Sequence, residues 1–107
     1  MSQTTHFIVV AKQLNKNYLI TETDGELIYQ LIKDAISRYD KTVLNFSGIE
    51  MSIFRPLHIC IGRFFDNPQT IRDFLTHIAI KGDDYMKSKI NKVIDNAKQF
   101  YSTLDEE

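Results

Sequence analysis

Val43, Leu44 and Phe46 form a short, nearly continuous apolar run, and what flanks it constrains the whole fold. Before it, Leu27, Ile28, Leu31, Ile32, Ala35, Ile36 and Tyr39 recur at helical spacing, while Lys33, Asp34, Ser37 and Arg38 fall on the other side. A helix with a one-sided apolar stripe has to lay that stripe on a sheet. After the run, Ser47-Gly48 turns the chain. An apolar run of this kind is the pattern of an interior strand covered on both faces. Strand, helix and strand then make a crossover unit, which is right-handed almost without exception. That places the loop after Phe46 at the C-terminal edge of the sheet.

The remaining elements are read around this unit. Phe7–Val10 and Tyr18–Thr21 are β-rich runs joined by the polar stretch Lys12–Asn17, and a hairpin is the simplest pairing. Thr23 and Glu26 stand three apart, as in a capping box, ahead of the helix. A second helix is predicted over residues 57–65, with Leu57, Cys60, Ile61, Phe64 and Phe65 on one face and Pro56 in its first turn. There the missing N–H costs nothing, and Arg55 before it is pushed toward extended backbone. Asp66-Asn67-Pro68 ends that helix, Gln69–Asp73 reads as a polar connector, and residues 74–80 read as a strand. The last helix, residues 84–104, turns Met86, Ile90, Val93, Ile94, Ala97, Tyr101 and Leu104 inward and Lys87, Lys89, Lys92 and Lys98 outward. The expected architecture is one small α/β domain over residues 1–107. A mixed four-stranded sheet carries packed helices in the order β-β-α-β-α-β-α.

With 107 residues, 43% hydrophobic and 25% charged, the chain has the size and balance to fold around one core without disulfides or a structural metal. Its single cysteine, Cys60, cannot form an internal bridge, and the N-terminus lacks the regions of a signal peptide. A reducing cytoplasm is the expected setting. The longest mostly apolar run, residues 53–65, is broken by Arg55, Pro56, His58 and Arg63 and is too short for a bilayer. A formal net charge of −1 supplies no field favouring nucleic acid or an acidic membrane. The lysines of the last helix are interleaved with Asn91 and Asp95 and read as a solvated face.

The element order, with Val43-Leu44-Asn45-Phe46-Ser47-Gly48-Ile49-Glu50 at its third strand, resembles the STAS superfamily, the fold of bacterial anti-sigma-factor antagonists. It looks closest to the STAS-like domains grouped as DUF4325. The resemblance covers residues 18–80, and its specific part is barely ten residues long. Family members typically carry an aspartate in the strand before the Ser-Gly turn, where Asn45 stands here. In the antagonists a serine at the start of the following helix is phosphorylated by a partner kinase. An ungapped match puts Ile53-Phe54-Arg55-Pro56 in that region, with Ser52 just before it and Ser47 just after the strand. The resemblance implies a non-catalytic, regulatory protein-interaction domain. Its partner would be a histidine-kinase-like ATPase or an anti-sigma-type regulator.

Four residues are therefore singled out for partner binding: Ser47, Ser52, Phe54 and Arg55. Ser52 reads first as a helix N-cap. A phosphate there would place negative charge at the positive end of a helix dipole, so Ser52 and Ser47 are also the candidate modification sites. An aromatic and an arginine are favoured interface anchors, and Arg55 has no helical partner three or four residues away.

Chemistry is not expected. His58 and Cys60, two apart on a helix, point to nearly opposite sides, and a thiol in so apolar a run resists ionisation. His6, His58 and His77 lack the spacing of metal ligands. Gly25, Gly48, Gly62 and Gly82 are dispersed, so no phosphate-cradling loop exists. No cofactor is called for. The alternative to protein docking is a small-ligand or nucleotide sensor, because ligands settle at this sheet edge in open α/β folds.

Overall fold

The computed structural model describes residues 5–106, with side chains through residue 99. The elements run β1 (Thr5–Val9), α1 (Val10–Leu14), β2 (Tyr18–Leu19), α2 (Glu22–Arg38), β3 (Lys41–Asn45), β4 (Met51–Ser52) and α3 (Phe54–Cys60). A 3-10 turn (Gly62–Phe65), α4 (Pro68–His77), β5 (Ile78–Lys81) and α5 (Asp84–Glu106) follow. Tyr101, Leu104 and the tail lie beyond the described side chains.

Two sheets form in place of one. β1, β3 and β5 make a three-stranded sheet in that order, and β2 pairs with β4 in a separate two-stranded one. Among the described residues every pairing is parallel. The expected hairpin, and with it the mixed four-stranded sheet, is replaced. The polar stretch after β1 contains the helical turn α1, closed by Asn15 at φ 58°. Asparagine tolerates that left-handed cap, which spends the connection on a helix end rather than a β-turn. β2 is then free to take β4 as its neighbour.

Differences elsewhere have local causes. The cap of α2 is Thr21, whose hydroxyl accepts from the Asp24 N–H at 3.1 Å, because Thr23 is already inside the helix. Residues 69–77 are helical rather than connector and strand. Asn67 and Pro68 are a start signal, with the Asn67 side chain accepting from the Thr70 N–H at 3.0 Å and proline at the first position. Pro56 does sit in the first turn of α3, but that helix begins at Phe54, so Arg55 is helical, and it tightens into the 3-10 turn from Gly62.

One core unites these pieces, built on Ile8 and Leu44 from the sheet, Ile28 and Ile32 from α2, Leu57 from α3, Phe65, Phe74 and, from α5, Met86, Ile90 and Val93. α2 and α4 pack against β3, α4 also against β5, α3 against α2, and α5 against α3 and the 3-10 turn. The α2–α3 crossing is close at Gly25: a Cβ there would lie 2.8 Å from the Pro56 carbonyl oxygen. Arg63 ties the same helices together. Its guanidinium lies 3.8 Å from the Tyr29 ring centroid, donates to Glu26 Oε2 at 2.7 Å and, through Nε, to the Ile59 carbonyl at 3.0 Å.

No helix among the described residues is long and apolar enough to cross a membrane.

Candidate functional site: the exposed face of the small sheet

Because β1, β3 and β5 run the same way, their C-terminal ends share one edge, and the turn after β3 stands on it. The turn is fastened from several sides. The Phe46 N–H donates to the Lys81 carbonyl at 2.6 Å, the Ile49 N–H to the Phe46 carbonyl at 3.1 Å, and the Ser47 N–H to Asn45 Oδ1 at 2.9 Å. Here the amide of Asn45 does locally what a carboxylate would do. Gly48 takes φ +90°, a left-handed value suited to glycine. Phe46 and Ile49 are buried, so the turn hangs from two apolar plugs and leaves Ser47, Gly48 and Glu50 in solvent.

β4 follows at once and is held to β2. The Glu50 N–H donates to the Asn17 carbonyl at 2.7 Å, the Asn17 side chain to Glu50 Oε2 at 3.1 Å, and the Ile53 N–H to the Leu19 carbonyl at 3.3 Å. Side chains alternate across such a ladder. Leu19 and Ser52, register partners, are 0% and 1% exposed. Tyr18, Ile20, Met51 and Ile53 point the other way and are 45%, 38%, 57% and 48% exposed. Phe54 and Tyr85 extend this surface, bridged by Lys89, whose Nζ lies 4.6 Å and 5.3 Å from their ring centroids. A shallow depression of about 460 Å³, lined by Asn17, Tyr18, Ile20, Glu50 and Met51, runs along it.

The four residues named from the sequence fall differently. Phe54 is 39% exposed, with one face under Lys89, so it neither closes the core nor stands free. Arg55 is exposed and has found a carboxylate within the chain, Glu22 Oε1 at 3.2 Å. Ser47 is exposed. Ser52 is not a helix cap: α3 is preceded by Ile53 and has no side-chain cap, while the Ser52 hydroxyl donates to the Ile53 carbonyl at 3.1 Å. The Tyr85 hydroxyl lies 3.4 Å from both the N and the O of Ser52.

Tyr18, Ile20, Met51, Ile53 and Tyr85 were not singled out in the sequence. The signal was there, since Tyr18-Leu19-Ile20 and Met51-Ser52-Ile53 are two triplets of alternating side chains, but pairing them requires knowing that the first is not half of a hairpin.

Burial pushes the Cys60 thiol up to about 12, outweighing its backbone hydrogen bond and the nearby Arg63, both of which pull the other way. It is wholly enclosed, with Sγ 3.8 Å from the Leu57 carbonyl oxygen. No group of three His, Cys, Asp or Glu side chains among the described residues is placed to hold a metal ion.

Fold and site define a small α/β domain that presents an apolar β-surface beside its sheet edge. Comparisons with protein-family models, with curated proteins and with solved structures found no match.

Proposed function

We propose that the chain is a non-catalytic regulatory domain that docks a protein partner through residues 47–56 and the start of α3. The observation that carries this reading is the outward face of the small sheet. Four large apolar side chains, Tyr18, Ile20, Met51 and Ile53, are roughly half exposed beside Phe54 and Tyr85. Apolar and aromatic anchors ringed by polar groups are what protein interfaces use, and Asn17, Glu50, Arg55 and Lys89 supply the ring. The partner class suggested by the resemblance to anti-sigma-factor antagonists, a histidine-kinase-like ATPase or an anti-sigma-type regulator, belongs to this proposal. That resemblance rests on the element order and on residues 43–50, and both the observed order and the all-parallel sheets depart from the expected β-β-α-β-α-β-α order and mixed sheet. Any phosphorylation switch is assigned to Ser47, which solvent and a kinase can reach, rather than to buried Ser52.

The test is affinity capture of the tagged chain from its native cells, with and without ATP, followed by mass spectrometry of the retained proteins and of the bait. Recovery of an ATPase or transcription regulator, lost on Met51→Asp and on the Phe54→Ala, Arg55→Ala double change, supports docking at this surface. Capture unaffected by either change refutes the surface. A nucleotide retained by the purified chain would favour the sensing alternative.

A further inference from the structure

The three-stranded sheet has two unlike faces. Register places His6, Ile8, Thr42, Leu44, Ile78 and Ile80 on one, and Ile8, Thr42 and Leu44 there are at most 2% exposed beneath α2 and α4. The other face carries Thr5, Phe7, Val9, Lys41, Val43, Asn45, Ala79 and Lys81. Phe7 is 63% exposed, and Val9, Val43 and Ala79 are only partly covered. Phe7, Val43 and Ala79 stand side by side in register, an apolar bar across all three strands. Parallel sheets occur almost only with both faces covered, and what covers them is helices. α5, the element with length to spare, packs instead on α3 and the 3-10 turn.

The charges on this face indicate what fits it. Among the described residues Lys41, at the start of the central strand, and Lys81, at the end of edge strand β5, are its only ionisable groups, and neither has an ion-pair partner. A second copy offering the same face would bring lysines and no carboxylate. We infer that this face, separate from the docking surface proposed above, receives an amphipathic helix of a partner protein whose apolar stripe is bordered by carboxylates. Four residues along the strands and one strand across separate the lysines by about 14 Å. A helix lying along the strands spans about 13.5 Å in nine residues, which turn it by about 900°. Carboxylates nine apart therefore fall on opposite borders of the stripe, one for each lysine.

The probes are two 20-residue helical peptides with the same leucine stripe, one bordered by glutamates nine apart and the other by lysines, titrated into isotope-labelled chain and followed by NMR. The glutamate peptide should bind at least tenfold more tightly, with shifts centred on β1, β3 and β5. The Lys41→Glu, Lys81→Glu double variant should reverse the preference. Phe7→Glu should abolish binding of both peptides while leaving the thermal melt unchanged, since that side chain already faces solvent. Failure of both peptides to bind, a preference unmoved by the lysine changes, or shifts centred on β2 and β4 would overturn the inference. So would a dimer in sedimentation equilibrium that Phe7→Glu dissociates, which would make a second copy the occupant.

Discussion

Val43 and Leu44 are neighbours on β3 and belong to different worlds. Leu44 is fully enclosed between the sheet and its helices, while Val43 lies on the face that the described chain leaves open. The small sheet repeats the contrast, with Leu19 and Ser52 sealed and Tyr18, Ile20, Met51 and Ile53 facing out. Both sheets are thus one-sided, but they differ in how their open sides are bordered. Among the described residues the large sheet's open face carries only lysines as charged groups, whereas the small sheet's is ringed by a mixture of Glu50, Arg55 and Lys89. The two surfaces therefore differ in the charge they would offer a partner.

The contrast within β3 is broken most directly by truncation. Leu44→Ala should cost about 2–5 kcal/mol in a chemical denaturation experiment, as expected for emptying a closed core site, whereas Val43→Ala should cost less than about 1 kcal/mol. Equal losses would mean that the open face is covered in solution. Gly25→Ala tests the covered side from the helices, where the new methyl meets the Pro56 backbone rather than a yielding side chain. A loss of about 1–3 kcal/mol is expected, and a wild-type midpoint would show that α2 and α3 cross more loosely.

Cys60 sharpens the contrast by pH. Its folded-state pKa, pushed up to about 12 by burial, lies above the ordinary thiol value of 9.0, so the unfolded chain releases the thiol proton first. The stability this thiol contributes is intact below pH 9 and falls as pH rises from there toward 12, by at most about 1.4 kcal/mol per unit. Denaturation midpoints of the wild type and Cys60→Ala should converge over that window. The thiol should also resist alkylation at pH 8 until the chain unfolds. The smallest effect is expected at the surface. Arg55→Ala removes an exposed pair with Glu22 and should change stability by less than about 1 kcal/mol, so any larger effect on partner capture reports binding rather than folding.

Periodicity read from the sequence locates α2, β1, β3 and α5, because each has a strong repeat of its own. It fails where one signal serves two elements. Asn67-Pro68 ends the segment before it and begins α4, and reading only the ending turns a helix into a connector and a strand. The apolar run Val43, Leu44 and Phe46 locates the central strand but not its cover, since a side chain awaiting a partner and one already buried look alike in sequence. Of the residues singled out in the sequence, Phe54 is partly exposed under Lys89 and Arg55 lies on the surface paired with Glu22. Ser52 was misjudged because an N-cap and an inward-facing strand serine differ only in register. The apolar surface itself depends on β2 choosing β4, a contact between residues 33 apart that no local pattern encodes.

The closeness of Gly25 to Pro56 has a consequence for the segment proposed to dock a partner. Phe54 and Arg55 open the helix whose third residue is seated on α2, with no side chain between the two backbones to yield. A partner that pulls on this end of α3 pulls on α2 as well. That helix runs 17 residues to its C-cap Tyr39, just before β3. Gly25 and Pro56 thus couple the helix that opens beside the apolar patch to the helix that leads into the central strand.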